Sequence, residues 1–261
     1  NARVEMEMPG YGVNDIYANL AGNVFVWLPN GVYYYSIDGQ RYAMKMNNGT
    51  ATVVSIPDSY GVEVDGVDVA NLSGEGWRYE VFESRLDVTN ACVISGTNTE
   101  GQVNMSIDAT EEFALTISNL HLKATSGSPI TILHGTNTLC LAGTNTLDAA
   151  DAAGHPGLHV AGMHQGVVIT NLHDGAKLVT RGGANAAGIG ADNSDYTGSI
   201  TIAGGIVEAS GGAEGAGIGA GKDYGFYEIV VAGGTVIPTA GSGSKAIGCG
   251  SSCPSYITGE R

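Results

Sequence analysis

The residues with the most chemistry to offer lie in three short polar runs. These are Asp192-Asn193-Ser194-Asp195-Tyr196, Lys222-Asp223-Tyr224-Gly225-Phe226-Tyr227 and Ser251-Ser252-Cys253-Pro254-Ser255. Tyrosine rings give stacking faces and carboxylates accept hydrogen bonds from hydroxyl groups, which together make glycan-binding chemistry. Asp192, Asp195, Tyr196, Asp223, Tyr224 and Tyr227 are therefore the candidate ligand-binding residues. With backbone oxygens, Asp192 and Asp195 would also suit Ca²⁺, a hard cation that takes oxygen ligands. Polar, variable residues are also what a loop without any ligand contains.

The other reactive residue types form weaker sets. His155, His159 and His164 are loosely spaced, and no Cys or Glu completes a metal-binding pattern, so isolated structural histidines are expected. Asp148 and Asp151 are the best local carboxylate pair for acid–base hydrolysis. They occupy an Ala-rich turn with no supporting motif, so no catalytic residue is assigned. Cys249 and Cys253 share one short loop and are expected to form a disulfide, which suits an oxidising compartment.

The elements that must carry these loops repeat. Ala186-Ala187-Gly188-Ile189-Gly190-Ala191 returns as Gly215-Ala216-Gly217-Ile218-Gly219-Ala220 and as Lys245-Ala246-Ile247-Gly248-Cys249-Gly250, with the central isoleucines 29 residues apart. A fixed period of this length marks a structural repeat that stacks on itself. Ile200 and Ile202 return 29 residues later as Ile229 and Val231, and Leu178, Val207 and Val236 form another ladder at the same step. Leu147 lies 11 residues before Leu158, as Leu178 lies before Ile189, so the ladder is expected to extend to Leu147. Leu115 and Ile117 recur as Leu139 and Leu141. Apolar–polar–apolar triplets such as Ile200-Thr201-Ile202 point alternate side chains inward.

A single coil cannot bury its own inward face, whereas stacked coils can. The expected fold is all-β: a parallel β-helix, or solenoid, of about 29 residues per coil in its C-terminal part. Glycines flanking each isoleucine are expected at corners that need φ > 0. Equal spacing places the three polar runs on one edge of the stack. Cys92 and Cys140 fall two coils apart, ~9–10 Å of stack, beyond the ~7 Å that a disulfide spans between Cα atoms. They are expected not to be bonded to each other.

Residues 1–73 carry no repeat. Val24 to Leu28 and Val32 to Ile37, then Tyr42 to Met46 and Thr50 to Ile56, read as strands joined by Asn, Asp and Gly turns. An N-terminal β-sandwich-like or capping unit is expected, with the solenoid at 74–261 and the boundary at Gly74. Tyr33, Tyr34, Tyr35 and Tyr42 invite a sugar-stacking reading, but aromatic residues are also good strand formers and about half should be core.

The text from Gly74 to Gly250 resembles a repeat of large surface proteins of gut and other anaerobic bacteria. The resemblance rests on Gly74-Glu75-Gly76-Trp77, Ile94-Ser95-Gly96-Thr97-Asn98-Thr99, Leu141-Ala142-Gly143-Thr144-Asn145-Thr146-Leu147 and the Ala-Gly-Ile-Gly blocks. It covers about two-thirds of the chain. It implies a secreted or surface-anchored bacterial protein of adhesin or carbohydrate-binding type. The blocks depart from the glycine-richer form at Ala191, Ala220 and Cys249.

Composition bounds the alternatives. A net charge of −15 disfavours nucleic acid and anionic membranes as partners. No apolar run is long enough for a membrane span. The chain begins at Asn1 rather than Met, so a processed or trimmed product is expected. Parallel β-helices also host polysaccharide lyases, which need clustered aspartates for Ca²⁺ and an arginine base. Arg78, Arg85, Arg181 and Arg261 are the only arginines of the solenoid, and none falls in an acidic cluster. The repeated Gly-Thr-Asn-Thr runs are too irregular for a flat threonine ladder, and their asparagines are expected to bond local backbone. The expected function is that of an extracellular or cell-surface adhesin or glycan-binding solenoid. A structural subunit assembled head to tail into a fibre is the alternative, and a polysaccharide-cleaving enzyme a second one.

Overall fold

The computed structural model describes residues 3–8, 12–17, 28–108, 112–160 and 162–252. It divides into two compact units, residues 1–59 with 81–83, and residues 60–80 with 84–261.

The first unit contains one antiparallel sheet. Its strands are β1 (Arg3–Met8), β2 (Gly12–Tyr17), β3 (Gly31–Ile37), β4 (Gln40–Asn47) and β5 (Thr50–Ile56), in the order β2-β1-β3-β4-β5. The β3–β4 turn is Asp38-Gly39 and the β4–β5 turn is Asn48-Gly49, all four residues with positive φ. That is the twist a two-residue hairpin needs, and Asn-Gly and Asp-Gly supply it. The described residues of this unit form this single sheet. The strand expected at Val24 to Leu28 lies almost wholly outside the described residues. Tyr33 is buried and its hydroxyl donates to the Pro29 carbonyl at 3.0 Å, while Tyr35 and Tyr42 stack across the hairpin at 5.3 Å.

The second unit is a parallel β-solenoid of about five turns between residues 105 and 248, with roughly 29 residues per coil. It has three faces. The first stacks Arg85–Val88, Asn104–Ile107, Ile130–Ile132, Leu158–Val160, Ile189–Gly190, Ile218–Gly219 and Ile247–Gly248 in parallel. The second stacks Val93–Asn98, Ala114–Lys123, Thr136–Ala142, Gly166–Asn171, Thr197–Ile202 and Phe226–Val231. Ala114–Lys123 bends onto the third face, where Thr144–Asp148, Lys177–Arg181, Ile206–Ser210 and Thr235–Thr239 continue.

Alternation decides what is inside. Leu115, Leu139, Ile169 and Ile202 are buried one above another, Ile117 and Leu141 form a second buried ladder, and Ile200 is buried over Val167. The isoleucine ladder is in register, Ile189 over Ile218 over Ile247, as is Leu178 over Val207 over Val236. The expected extension of that last ladder to Leu147 is corrected. Leu147 pairs with Thr180, and Asn145 stands under Leu178. Asn145 is fully buried because its amide is satisfied by backbone: Oδ1 accepts from Leu120 N, and Nδ2 donates to the carbonyls of Ala142 and Lys177. A polar residue so bonded can hold an inward position that hydropathy assigns to a leucine.

The expected boundary at Gly74 falls inside the second unit. Val62–Val64 pairs antiparallel with Val93–Asn98, and Val67–Asp68 pairs antiparallel with it in turn. Trp77–Glu80 pairs antiparallel with Arg85–Val88, and Ser73–Gly74 with Trp77–Glu80. These hairpins close the parallel stack at its N-terminal end. Residues 81–83 cluster with the first unit, where Lys45 lies 3.5 Å from Glu83 and 5.7 Å from the Phe82 ring centre.

Candidate functional site

The first two polar runs each leave the first face just after an Ala-Gly-Ile-Gly corner, and the two glycines of a corner do different work. Gly190, Gly219 and Gly248 have φ of 140°, 131° and 122°, the region that favours glycine. Gly188 and Gly217 have ordinary φ. A Cβ on Gly188 would meet Gly217 O at 2.7 Å, so close packing of coils excludes a side chain there. The expectation of φ > 0 thus holds for the second glycine of each block and is corrected for the first. Thr197 finishes the corner: its buried hydroxyl donates to Gly219 O at 2.7 Å and accepts from Ala191 N at 3.0 Å. Nothing in the apolar period marks Thr197.

The corner throws Asp192 to Tyr196 outward. Asp192 Oδ1 accepts from Ser194 N at 2.7 Å and Ser194 Oγ at 2.6 Å, and Asp195 Oδ1 accepts from Tyr196 N at 2.7 Å. These turns fix the loop so that the Tyr196 ring meets the Tyr224 ring of the next coil edge to face, 5.5 Å between centres and 88° between planes. Two of the candidate tyrosines are thus brought together. Tyr227 stands on the strand Phe226–Val231 and is 61% exposed, and Asp223 is exposed in a left-handed turn with φ of 71°. Beside them, Lys222 Nζ lies 3.0 Å from Glu214 Oε2, and Ser251 Oγ donates to Glu214 Oε1 at 3.3 Å. The Lys222 ammonium, hydrogen-bonded to the carboxylate, holds Glu214 below its ordinary range, and Glu214 in turn raises Lys222.

His159 is adjacent and was not singled out as a site residue by its spacing. It lies in register with Gly190, which has no side chain, and Asp192, Asp195 and His155 surround it electrostatically. Its Nε2 is buried with no hydrogen-bond partner among the described residues. Burial pushes its pKa down, the two aspartates opposing and His155 reinforcing the shift. Among the described residues, no three His, Cys, Asp or Glu side chains converge as a metal site. A cation at Asp192 and Asp195 would therefore depend on backbone carbonyl and water oxygens for most of its shell.

The other sets are held apart. Asp148 Oδ2 lies 3.5 Å from Arg181 and Asp151 Oδ2 lies 2.6 Å from Lys123. Arg78 and Arg85 are likewise engaged, with Glu80 at 2.8 Å and Asp87 at 2.6 Å. An exposed pair missed by the sequence joins His134 Nδ1 to Asp108 Oδ1 at 2.7 Å. Cys249 is disulfide-bonded, and its expected partner Cys253 lies outside the described residues. Cys92 and Cys140 are free thiols. Val93 pairs with Thr116 and Thr116 with Cys140, which places the two thiols two coils apart. Burial, with Asp65 adding, pushes the Cys92 thiol up to about 12.

The buried asparagines of the Gly-Thr-Asn-Thr runs all bond backbone. Asn98 Oδ1 accepts from Gln102 N and its Nδ2 donates to Tyr60 O. Asn137 Nδ2 donates to His134 O and its Oδ1 accepts from Phe113 N. Compared with family models, curated proteins and solved structures, the chain has no match.

Proposed function

We propose that this chain is a non-catalytic, glycan-binding β-solenoid of the bacterial surface-adhesin type, working outside the cell or on its surface. The observation that carries the reading is the Tyr196–Tyr224 contact between loops of successive coils, with Asp192, Asp195 and Asp223 beside it. Both rings are half-buried and held edge to face, and an aromatic ring face is a stacking surface. A sugar stacks on such a face with its C–H groups, while its hydroxyls donate to nearby carboxylates. The resemblance of the Ala-Gly-Ile-Gly blocks to adhesin repeats supports the same reading. The ion-paired Asp148, Asp151 and Arg181 offer no matched acid and base, which weighs against the polysaccharide-cleaving alternative.

A glycan array probed with the wild-type chain and with Tyr196→Ala, Tyr224→Ala and Tyr227→Ala tests it. Each of the first two substitutions is expected to weaken binding by roughly tenfold, the value of one lost stacking contact. Binding unchanged in both would move the site elsewhere, and no binding by the wild type to any arrayed glycan would overturn the reading.

A further inference from the structure

The corner between the first and second faces continues toward the N-terminal coils, beyond the loops that hold the candidate tyrosines. In the coil beneath Asp192–Tyr196 the same corner is turned by residues 162–165, and one coil further by Leu133, His134 and Gly135. Hydrogen bonds fix the order of these loops along the stack. Gly162 N donates to Tyr196 O at 2.7 Å, and Gln165 Nε2 donates to Leu133 O at 3.2 Å. The loop that carries Met163 is thereby tied on one side to Tyr196 and on the other to Leu133.

The side chains on this edge continue a pattern. Met163 is 57% exposed and Leu133 38% exposed, both large apolar side chains among Gly, His and Gln. A single exposed apolar residue needs no explanation, but these two stand in successive coils and extend the line of Tyr196 and Tyr224. His134 follows Leu133, and its Nδ1 is engaged with Asp108 Oδ1 at 2.7 Å. That bond holds the ring and leaves Nε2 as the nitrogen for a ligand hydroxyl. Four successive coils therefore each offer a side chain that can pack on a sugar ring: Leu133 with His134, then Met163, Tyr196 and Tyr224.

Charge and spacing narrow what can lie there. Asp192, Asp195 and Asp223 are joined along the edge by Asp108 and by Glu112, whose Cγ lies 3.9 Å from the place a Cβ on Gly135 would take. Among the described residues of these loops the one Lys or Arg is Lys222, which is bonded to Glu214. An acidic sugar would meet repulsion along the whole edge. The four coils, ~4.8 Å apart, span ~14 Å, and an extended glycan advances by about one coil step per sugar. A linear chain laid along the stack meets a packing side chain at every ring, whereas one laid along the strands leaves the edge after a single loop.

We propose that the binding edge runs from Tyr224 to His134 and takes a linear glycan without acidic sugars, lying parallel to the solenoid axis with about one sugar per coil. This rests on the glycan reading of the Tyr196–Tyr224 contact and adds the direction, the length and the class of the bound chain.

Titration calorimetry of the full chain tests it, with cello-, xylo-, manno- and N-acetylchito-oligosaccharides from mono- to hexasaccharide and oligogalacturonates as the acidic counterpart. Circular dichroism confirms the fold of each variant. In a neutral series that binds, affinity is expected to climb with each added sugar and to level off at about four. Met163→Ala and His134→Ala are each expected to weaken hexasaccharide binding by roughly fivefold and to leave disaccharide binding unchanged, whereas Tyr196→Ala weakens both. An affinity that stops rising at the disaccharide, or hexasaccharide binding indifferent to both Met163→Ala and His134→Ala, would overturn the extended edge and leave the tyrosine site standing. Oligogalacturonates that bind as tightly as the neutral series would overturn the class of glycan. Binding of no series at all would overturn this proposal together with the reading beneath it.

Discussion

Asn145 and His159 show how polar side chains fit a fold built on apolar ladders. The Asn145 amide replaces three backbone partners at the bend between two faces, so its burial costs little. His159 has no such relief. Its Nε2 is enclosed without a partner among the described residues, and burial disfavours the charged ring more than Asp192 and Asp195 favour it. The folded-state pKa therefore lies below the ordinary 6.5. Between the two values the unfolded chain binds the extra proton, so the stability held above pH 6.5 is lost as pH falls below it toward the depressed folded value. In thermal unfolding across this range, wild type is expected to lose more melting temperature on acidification than His159→Gln. Parallel pH profiles for the two would show that His159 does not titrate with unfolding.

At the level of elements, the corner is where glycine is required. A Cβ on Gly190 would lie 1.8 Å from Gly219 O, a backbone atom that cannot move without opening the ladder, and its φ of 140° is strained for any L side chain. Gly175 has a φ of 79°, but the space a methyl group would occupy there is open, with no atom within 4 Å. Gly175→Ala is thus expected to cost about 1–2 kcal/mol from backbone conformation alone. Gly190→Ala adds the collision and is expected to cost ~4 kcal/mol or more, as only a few named mechanisms do. Equilibrium denaturant titration separates the two. Equal losses would mean that the coils part easily at the corner. These corners were legible in the sequence because the isoleucines and glycines recur at a constant step. The slip at Leu147 was not, since a buried asparagine satisfied by backbone leaves no mark in an apolar period. Nor was the place of residues 60–73, whose short alternating strands read the same in a free-standing sheet as in hairpins closing a solenoid. Of the candidate site, equal spacing placed the loops on one edge, and the Tyr196–Tyr224 contact follows from it. Thr197 and His159 escaped because their roles depend on which atoms of the next coil face them.

On the scale of the whole molecule, each coil is held mainly by its two neighbours, so protection from solvent should be graded along the stack and least at the Phe226–Val231 end. The grading has a finer structure that the strand geometry dictates. Val230 points its amide at the coil beneath and is hydrogen-bonded there. Ile229 and Val231 point theirs away from it, and no strand follows there among the described residues. In residue-resolved amide exchange, Val230 is expected to be protected, while Ile229 and Val231 exchange rapidly. The alternation is the diagnostic part. General stiffening of the last coil would slow all three amides together, and burial by side chains alone would not discriminate between odd and even positions. Pairing with Thr197–Ile202 on one side only must do so, because it bonds every second residue. Rapid exchange of all three would mean that Phe226–Val231 is not held on the coil beneath.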